Sequence, residues 1–80
     1  MSEQIALTKL KSGKCATIVD IQGGTSVTER LENMGITIGK KIEKLSGMPA
    51  HGPVTLKVGN ARVSIGYGAA EKIMVSPEGK

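Results

Sequence analysis

Two runs of alternating apolar and polar residues, 54–58 and 61–65, meet at Gly59-Asn60 and predict a β-hairpin with a defined register. If Gly59 and Asn60 form the loop, the apolar residues pair on one face as Val54 with Ile65, Leu56 with Val63 and Val58 with Ala61. The opposite face then carries Thr55, Lys57, Arg62 and Ser64. Because a two-stranded ribbon is only marginally stable in water, the apolar face must pack onto further strands.

A second strand is predicted over 14–21, where the alternation breaks between Ile18 and Ile21 in the way that a β-bulge produces. The period then changes to about 3.6 residues, and one helix is predicted to begin near Ser26 with a capping box to Glu29. Its buried stripe is Val27, Leu31 and Met34. Gly35 follows where a left-handed residue ends a helix, and Ile36 can pack back on it.

The remaining elements are short strands and turns. A strand over 40–45 presents the apolar residues Ile42 and Leu45 between lysines, residues 46–53 form the longest loop, and residues 66–68 turn into a short segment over 69–72. A closing strand over 73–75 places Ile73 and Val75 inward, and residues 76–80 are expected to form a frayed tail. The predicted fold is mainly β, a small SH3-like or OB-like barrel of five to six short strands with one short α-helix.

Length and composition fit a single domain over 1–80 with a core from about 5 to 75 and an aliphatic interior. The lone Cys15 excludes an intramolecular disulfide, and neither a signal-peptide pattern nor a long apolar run is present, so we expect a soluble cytoplasmic protein. The formal net charge of +4 favours acidic partners. Tyr67 is the one aromatic residue, which weakens a nucleic-acid-binding interpretation because stacking platforms need more.

The residues that could carry chemistry are few. Cys15 and His51 are the only soft and imidazole donors, too few for a selective metal site, and we interpret them as an ordinary strand residue and a loop residue. One histidine with no recognisable nucleophile motif does not indicate an enzyme. The glycine pairs lack the residues that complete a phosphate loop or a dinucleotide fingerprint, so we predict no cofactor.

Partner-binding candidates lie on the hairpin and in the longest loop. Lys57 and Arg62 oppose each other on the outer face, either as two side chains that splay into solvent or as a basic spot for an acidic partner. Met48 and Pro49, with His51 in the same loop, form either a docking projection or a plug over the open end of the barrel.

Three spaced motifs carry a family resemblance. They are Leu31-x-x-Met34-Gly35-Ile36-x-x-Gly39, then Gly52-Pro53-Val54 with the hairpin, and then Ala70-x-x-Ile73-x-Val75. The N-terminal Leu7-x-x-Leu10-x-x-Gly13 adds to the pattern. From about Leu7 to Val75 the chain resembles the ferrous iron transport protein A (FeoA) family.

The resemblance implies an SH3-like barrel in the bacterial cytosol that acts in ferrous iron uptake. Its expected role is accessory or regulatory, through contact with the FeoB-type membrane GTPase permease, so a membrane is involved only indirectly. Transition metal binding is a family-level expectation. The alternative is a nucleic-acid-binding barrel, which would use several of Lys9, Lys11, Lys14, Lys40, Lys41 and Lys44. Exposed sheet edges leave a monomer and a weak homodimer open.

Overall fold

The computed structural model describes residues 3–47 and 52–78 and contains a six-stranded antiparallel sheet. The strands are β1 Ile5–Ala6, β2 Cys15–Ile21, β3 Lys41–Gly47, β4 Val54–Val58, β5 Ala61–Ile65 and β6 Ile73–Pro77. Their order across the sheet is β1-β6-β2-β3-β4-β5, so β1 and β5 stand at the two ends. Helix α1 is Gly24–Asn33, helix α2 is Tyr67–Glu71, and a 3-10 turn spans Leu7–Lys9. The mainly β prediction is confirmed.

The β4–β5 hairpin has the register that its alternation predicts. Val54 pairs with Ile65, Leu56 with Val63 and Val58 with Ala61. Val54, Leu56, Val58 and Ile65 are buried, whereas Ala61 at the turn is exposed. The polar positions Lys57, Arg62 and Ser64 are exposed on the other face.

Strand β2 carries the predicted bulge, because its register with β6 shifts between Ile18 and Asp20. The prediction of a frayed tail over 76–80 is wrong for its first residues. Ser76 pairs with Thr17, Pro77 pairs with Ala16, and the Glu78 N–H donates to the Cys15 carbonyl at 3.0 Å. The backbone of β2 supplies hydrogen-bond partners that are distant in sequence, so the local composition of residues 76–80 does not indicate them. Residues 79 and 80 lie outside the described part of the chain.

Helix α1 begins two residues before the predicted position, and the capping box is wrong. The chain reverses at Gly23 and Gly24, whose φ angles are +113° and +84°, so helical geometry is reached before Ser26. No side chain caps the N-terminus. The C-terminus follows the prediction, because Gly35 has φ +85° and the N–H groups of Gly35 and Ile36 donate to Glu32 and Leu31, both at 2.9 Å.

Two further elements differ from the predictions. The residues after the hairpin form helix α2, so the chain has a second short helix where a turn and short segment were expected. In β3, Ile42 is buried as expected, but Lys44 rather than Leu45 is the next buried residue. Strand alternation places positions 42 and 44 on one face, and the register with β4 shifts only after Lys44.

The core is one cluster of buried side chains from strands β2 to β6, helices α1 and α2 and the N-terminal 3-10 turn. Its fully buried large side chains are Leu7, Ile18, Ile36, Ile42, Leu56, Ile73 and Val75. Leu31 of α1 belongs to this cluster, and Val27 of α1 and Met34, the residue after the helix, are partly buried against it, so the predicted stripe faces the core. Among residues 3–47 and 52–78, no helix is both long and apolar enough to cross a membrane.

Candidate functional site

A row of one thiol and three charged side chains crosses four neighbouring strands on the outer face of the sheet. Cys15 of β2 is opposite Glu43 of β3, Glu43 is opposite Lys57 of β4, and Lys57 is opposite Arg62 of β5. Directly opposed residues share a face of the sheet, so register alone brings these four together. The row contains both hairpin cations predicted as partner contacts.

The charges of this row alternate in part. Lys57 faces Arg62 on one side, and the repulsion between these like charges lowers stability by a fraction of a kcal/mol. On the other side it faces Glu43, and this attraction raises stability by a similar amount. The repulsion between Lys57 and Arg62 is therefore offset by a residue that the hairpin sequence does not contain. Lys57 and Arg62 are both exposed, so their charged groups remain available to a partner.

The other predicted site residues separate into two groups. Met48, Pro49 and His51 lie outside the described residues, and their roles stay predictions. Cys15 is a free, half-exposed thiol next to Glu43. Within 3–47 and 52–78, no three His, Cys, Asp or Glu side chains lie close enough to hold a metal ion.

Lys44 is buried, although the sequence grouped it with the surface lysines. It was considered as a solvent-facing lysine for nucleic-acid contact, yet only 6% of it is exposed. Its Nζ donates to the Leu10 carbonyl at 2.7 Å and to the Thr8 carbonyl at 3.3 Å. Desolvation by burial lowers the pKa of the Lys44 ammonium from its ordinary value. Lys44 is therefore a structural tether and not a surface charge.

The backbone around Lys44 strengthens the same connection. The Gly13 N–H donates to the Lys44 carbonyl at 2.7 Å, and the Lys44 N–H donates to the Lys14 carbonyl at 2.9 Å. Side chain and main chain of one residue thus hold both ends of the segment between β1 and β2. This segment carries Lys9, Lys11 and Lys14, so its position decides where those three cations stand.

Comparison with models of protein families identifies the family of this chain. The model of the FeoA domain matches residues 5–77, which is nearly all of the described chain. The chain belongs to the FeoA family. A protein of Methanocaldococcus jannaschii with the provisional name Fe(2+) transport protein A is 35% identical over 65 residues, which cover 81% of this chain and 77% of that protein.

Solved structures agree with the assignment. A crystal structure described as iron uptake regulatory protein (FeoA) superposes with a TM-score of 0.86 at 33% identity, over 95% of this FeoA chain and 99% of the other. A manganese-dependent transcriptional repressor superposes with a TM-score of 0.88, but at 19% identity and over only 44% of its own length. That second likeness shows the fold alone. The expected SH3-like architecture is confirmed.

Proposed function

We propose that this FeoA protein acts in bacterial ferrous iron uptake as a small cytoplasmic accessory or regulatory subunit of the FeoB-type membrane GTPase permease. The observation that carries the proposal is the family match over residues 5–77. It is supported by an iron-uptake relative of almost the same length. The protein acts by binding, without catalysis of its own.

The contact that we propose is centred on Lys57 and Arg62. Both side chains are exposed at adjacent positions of a short hairpin, whose rigid register presents the two cations together. Such a pair suits an acidic surface on the partner, because unlike charges steer association and fix orientation. The loop with Met48, Pro49 and His51 directly precedes this hairpin in sequence and completes the proposed contact.

The test is an amide NMR titration of the isotope-labelled protein with the soluble GTPase domain of the permease, with and without guanine nucleotide. We expect chemical-shift changes at Lys57, Arg62 and the 48–53 loop. Arg62→Glu reverses one cation and should weaken binding on the order of ten-fold or more. Arg30→Glu is the matched control, because Arg30 is also exposed but lies on α1.

Equal affinity of the Arg62→Glu variant and the unaltered protein would remove the hairpin from the contact. Absence of shifts with the GTPase domain and also with the intact permease in nanodiscs would contradict the proposed function. Shifts that appear instead with a short DNA duplex, and disappear steeply with added salt, would favour the nucleic-acid-binding alternative.

A further inference from the structure

The positive charge of the protein is concentrated around Cys15. One hollow of about 460 Å³ is lined by Cys15 and by Lys40, Lys41 and Lys57. A second hollow of about 270 Å³ also includes Cys15 and is lined by Lys9, Lys11 and Lys14. All six lysines are exposed, and we refer to them together as the lysine face.

The residues that line these two hollows account for the whole net charge of the chain. The same two hollows contain two carboxylates, Glu43 and Glu78, so their net charge is +4, equal to the formal net charge of the protein. Positive and negative residues elsewhere therefore balance. Glu78 of the smaller hollow forms an ion pair at 3.5 Å with Lys41 of the larger hollow, so the two hollows are neighbours.

An exposed apolar side chain is close in sequence to this charge. Ile38 is 62% exposed and is the one large hydrophobic residue among 3–47 and 52–78 that is so exposed. It occupies the tip of a tight turn, in which the Lys40 N–H donates to the Thr37 carbonyl at 3.1 Å and Gly39 has φ +92°. A type II turn requires that conformation at its third residue, which explains the glycine.

The turn is fixed to the sheet and not free to fold Ile38 away. The Gly39 N–H donates to the Ile18 carbonyl at 2.7 Å, and the Ile18 N–H donates to the Lys40 carbonyl at 2.9 Å. Both bonds reach β2, the strand that also carries Cys15. The backbone of the turn is consequently fixed at Ile38, which directly precedes Gly39 and Lys40 of the larger hollow.

We propose that the lysine face binds the surface of an anionic lipid bilayer, with Ile38 inserted among the lipid headgroups. Lysines near an anionic leaflet contribute attraction without fixed partners, and a neighbouring apolar side chain adds anchorage. Lys57 belongs both to this face and to the proposed permease contact, but lipid binding is tested separately because it requires lipid alone.

The chemistry of the face favours a bilayer over a protein or a nucleic acid. All six cations are lysines, although the chain contains Arg30 and Arg62, and lysine is a hydrated point charge without the planar fork that recognises carboxylates or phosphates in pairs. The charges spread over two hollows instead of converging on one. Among the described residues that line the two hollows, none is aromatic and able to stack on a base.

The first experiment measures sedimentation of the full chain with phosphatidylcholine vesicles that contain or lack phosphatidylserine. We expect binding only to the anionic vesicles, and its loss as salt is raised. The double variant Lys11→Glu with Lys40→Glu should lower the partition coefficient at least ~20-fold, since each lysine near such a surface contributes roughly five-fold. Both substitutions leave Lys57 and Arg62 intact.

The matched control is Arg30→Glu with Lys72→Glu, which changes the net charge equally at exposed residues outside both hollows. Comparable loss in both double variants would show a response to total charge and would overturn the assignment of the face. No sedimentation with anionic vesicles would also overturn it. Salt-sensitive binding of an oligonucleotide without vesicle binding would assign the face to nucleic acid instead.

The second experiment tests insertion of Ile38. The chain contains no tryptophan, so Ile38→Trp creates a single tryptophan at the turn, whose emission can be excited separately from that of Tyr67. We expect a blue shift with anionic vesicles and quenching by lipids with brominated acyl chains. Asn33→Trp, at an exposed position at the end of α1, should remain unshifted. Equal behaviour of the two variants would refute insertion, whatever the permease titration shows.

Discussion

Replacing Lys44 by methionine separates the role of its buried ammonium from that of its aliphatic stem. Methionine keeps a long apolar side chain, so the packing against the core changes little. The variant loses the hydrogen bonds to the Leu10 carbonyl at 2.7 Å and the Thr8 carbonyl at 3.3 Å. Leu10 is only 4% exposed, so its carbonyl has poor access to water as a replacement.

The loss of stability in Lys44→Met follows from the two carbonyl groups that are left without a hydrogen-bond donor. A buried acceptor without a partner costs about 1–3 kcal/mol, and the better-hydrated Thr8 carbonyl costs less. Removal of the desolvated ammonium returns part of this loss, so we expect the free energy of unfolding to fall by about 1–2 kcal/mol at pH 7. In a domain of this size, such a loss lowers Tm by roughly 4–16 °C.

The assay is urea and thermal denaturation followed by circular dichroism. Lys41→Met is the matched control, because it makes the same substitution three residues before Lys44 in β3, at a side chain that is 62% exposed. Its ion pair with Glu78 is a surface contact, worth at most about 1 kcal/mol and often nothing measurable. A Lys44→Met variant as stable as the unaltered protein, or more stable, would show that desolvation outweighs the two hydrogen bonds and would refute the tether.

Three further changes test the same physical reasoning. Burial lowers the pKa of Lys44 below 10.5, so the unfolded chain binds more protons between the lowered pKa and 10.5. The stability advantage over Lys44→Met should therefore increase as pH rises through that window, and urea titrations at paired pH values that show a constant or falling difference would contradict it. Gly35→Ala should cost about 1–2 kcal/mol in chemical denaturation, because φ is +85° while the added Cβ meets only Val58 at 3.8 Å. Gly35→Asn should cost less, since asparagine tolerates this conformation better. Gly68→Ala in α2 should instead raise stability by about 0.5–1 kcal/mol, because the new methyl meets nothing within 4 Å, and an unchanged Tm would argue against a helix there.

The features that the sequence predicted are those controlled by neighbouring residues. Alternation and a two-residue turn determine the β4–β5 register, and broken alternation indicates the bulge after Ile18. The glycine and isoleucine after α1 likewise specify how that helix ends. In each case, the interacting groups are close in sequence, so a local pattern contains the information.

The features that were missed depend on distant partners. Lys44 is buried because carbonyls 34 and 36 residues away accept its hydrogen bonds, and no local pattern reports them. Ser76 and Pro77 are ordered because β2 offers them a pairing edge. The lysine face is likewise assembled from residues scattered between positions 9 and 57, so only the strand order brings its charges together.

The strand order also has a consequence for how the protein is made. Strand β6, near the end of the described chain, lies between β1 and β2 at its beginning. During synthesis, β1 therefore has no neighbour until Ile73–Pro77 have left the ribosome tunnel. The hairpin can form earlier because its pairing is local. The sheet is completed last, when β6 pairs with β1 and β2, and such contacts between distant segments form slowly. Until that moment β1 and the edge of β2 that pairs with β6 present unpaired backbone groups, which can pair with another chain instead.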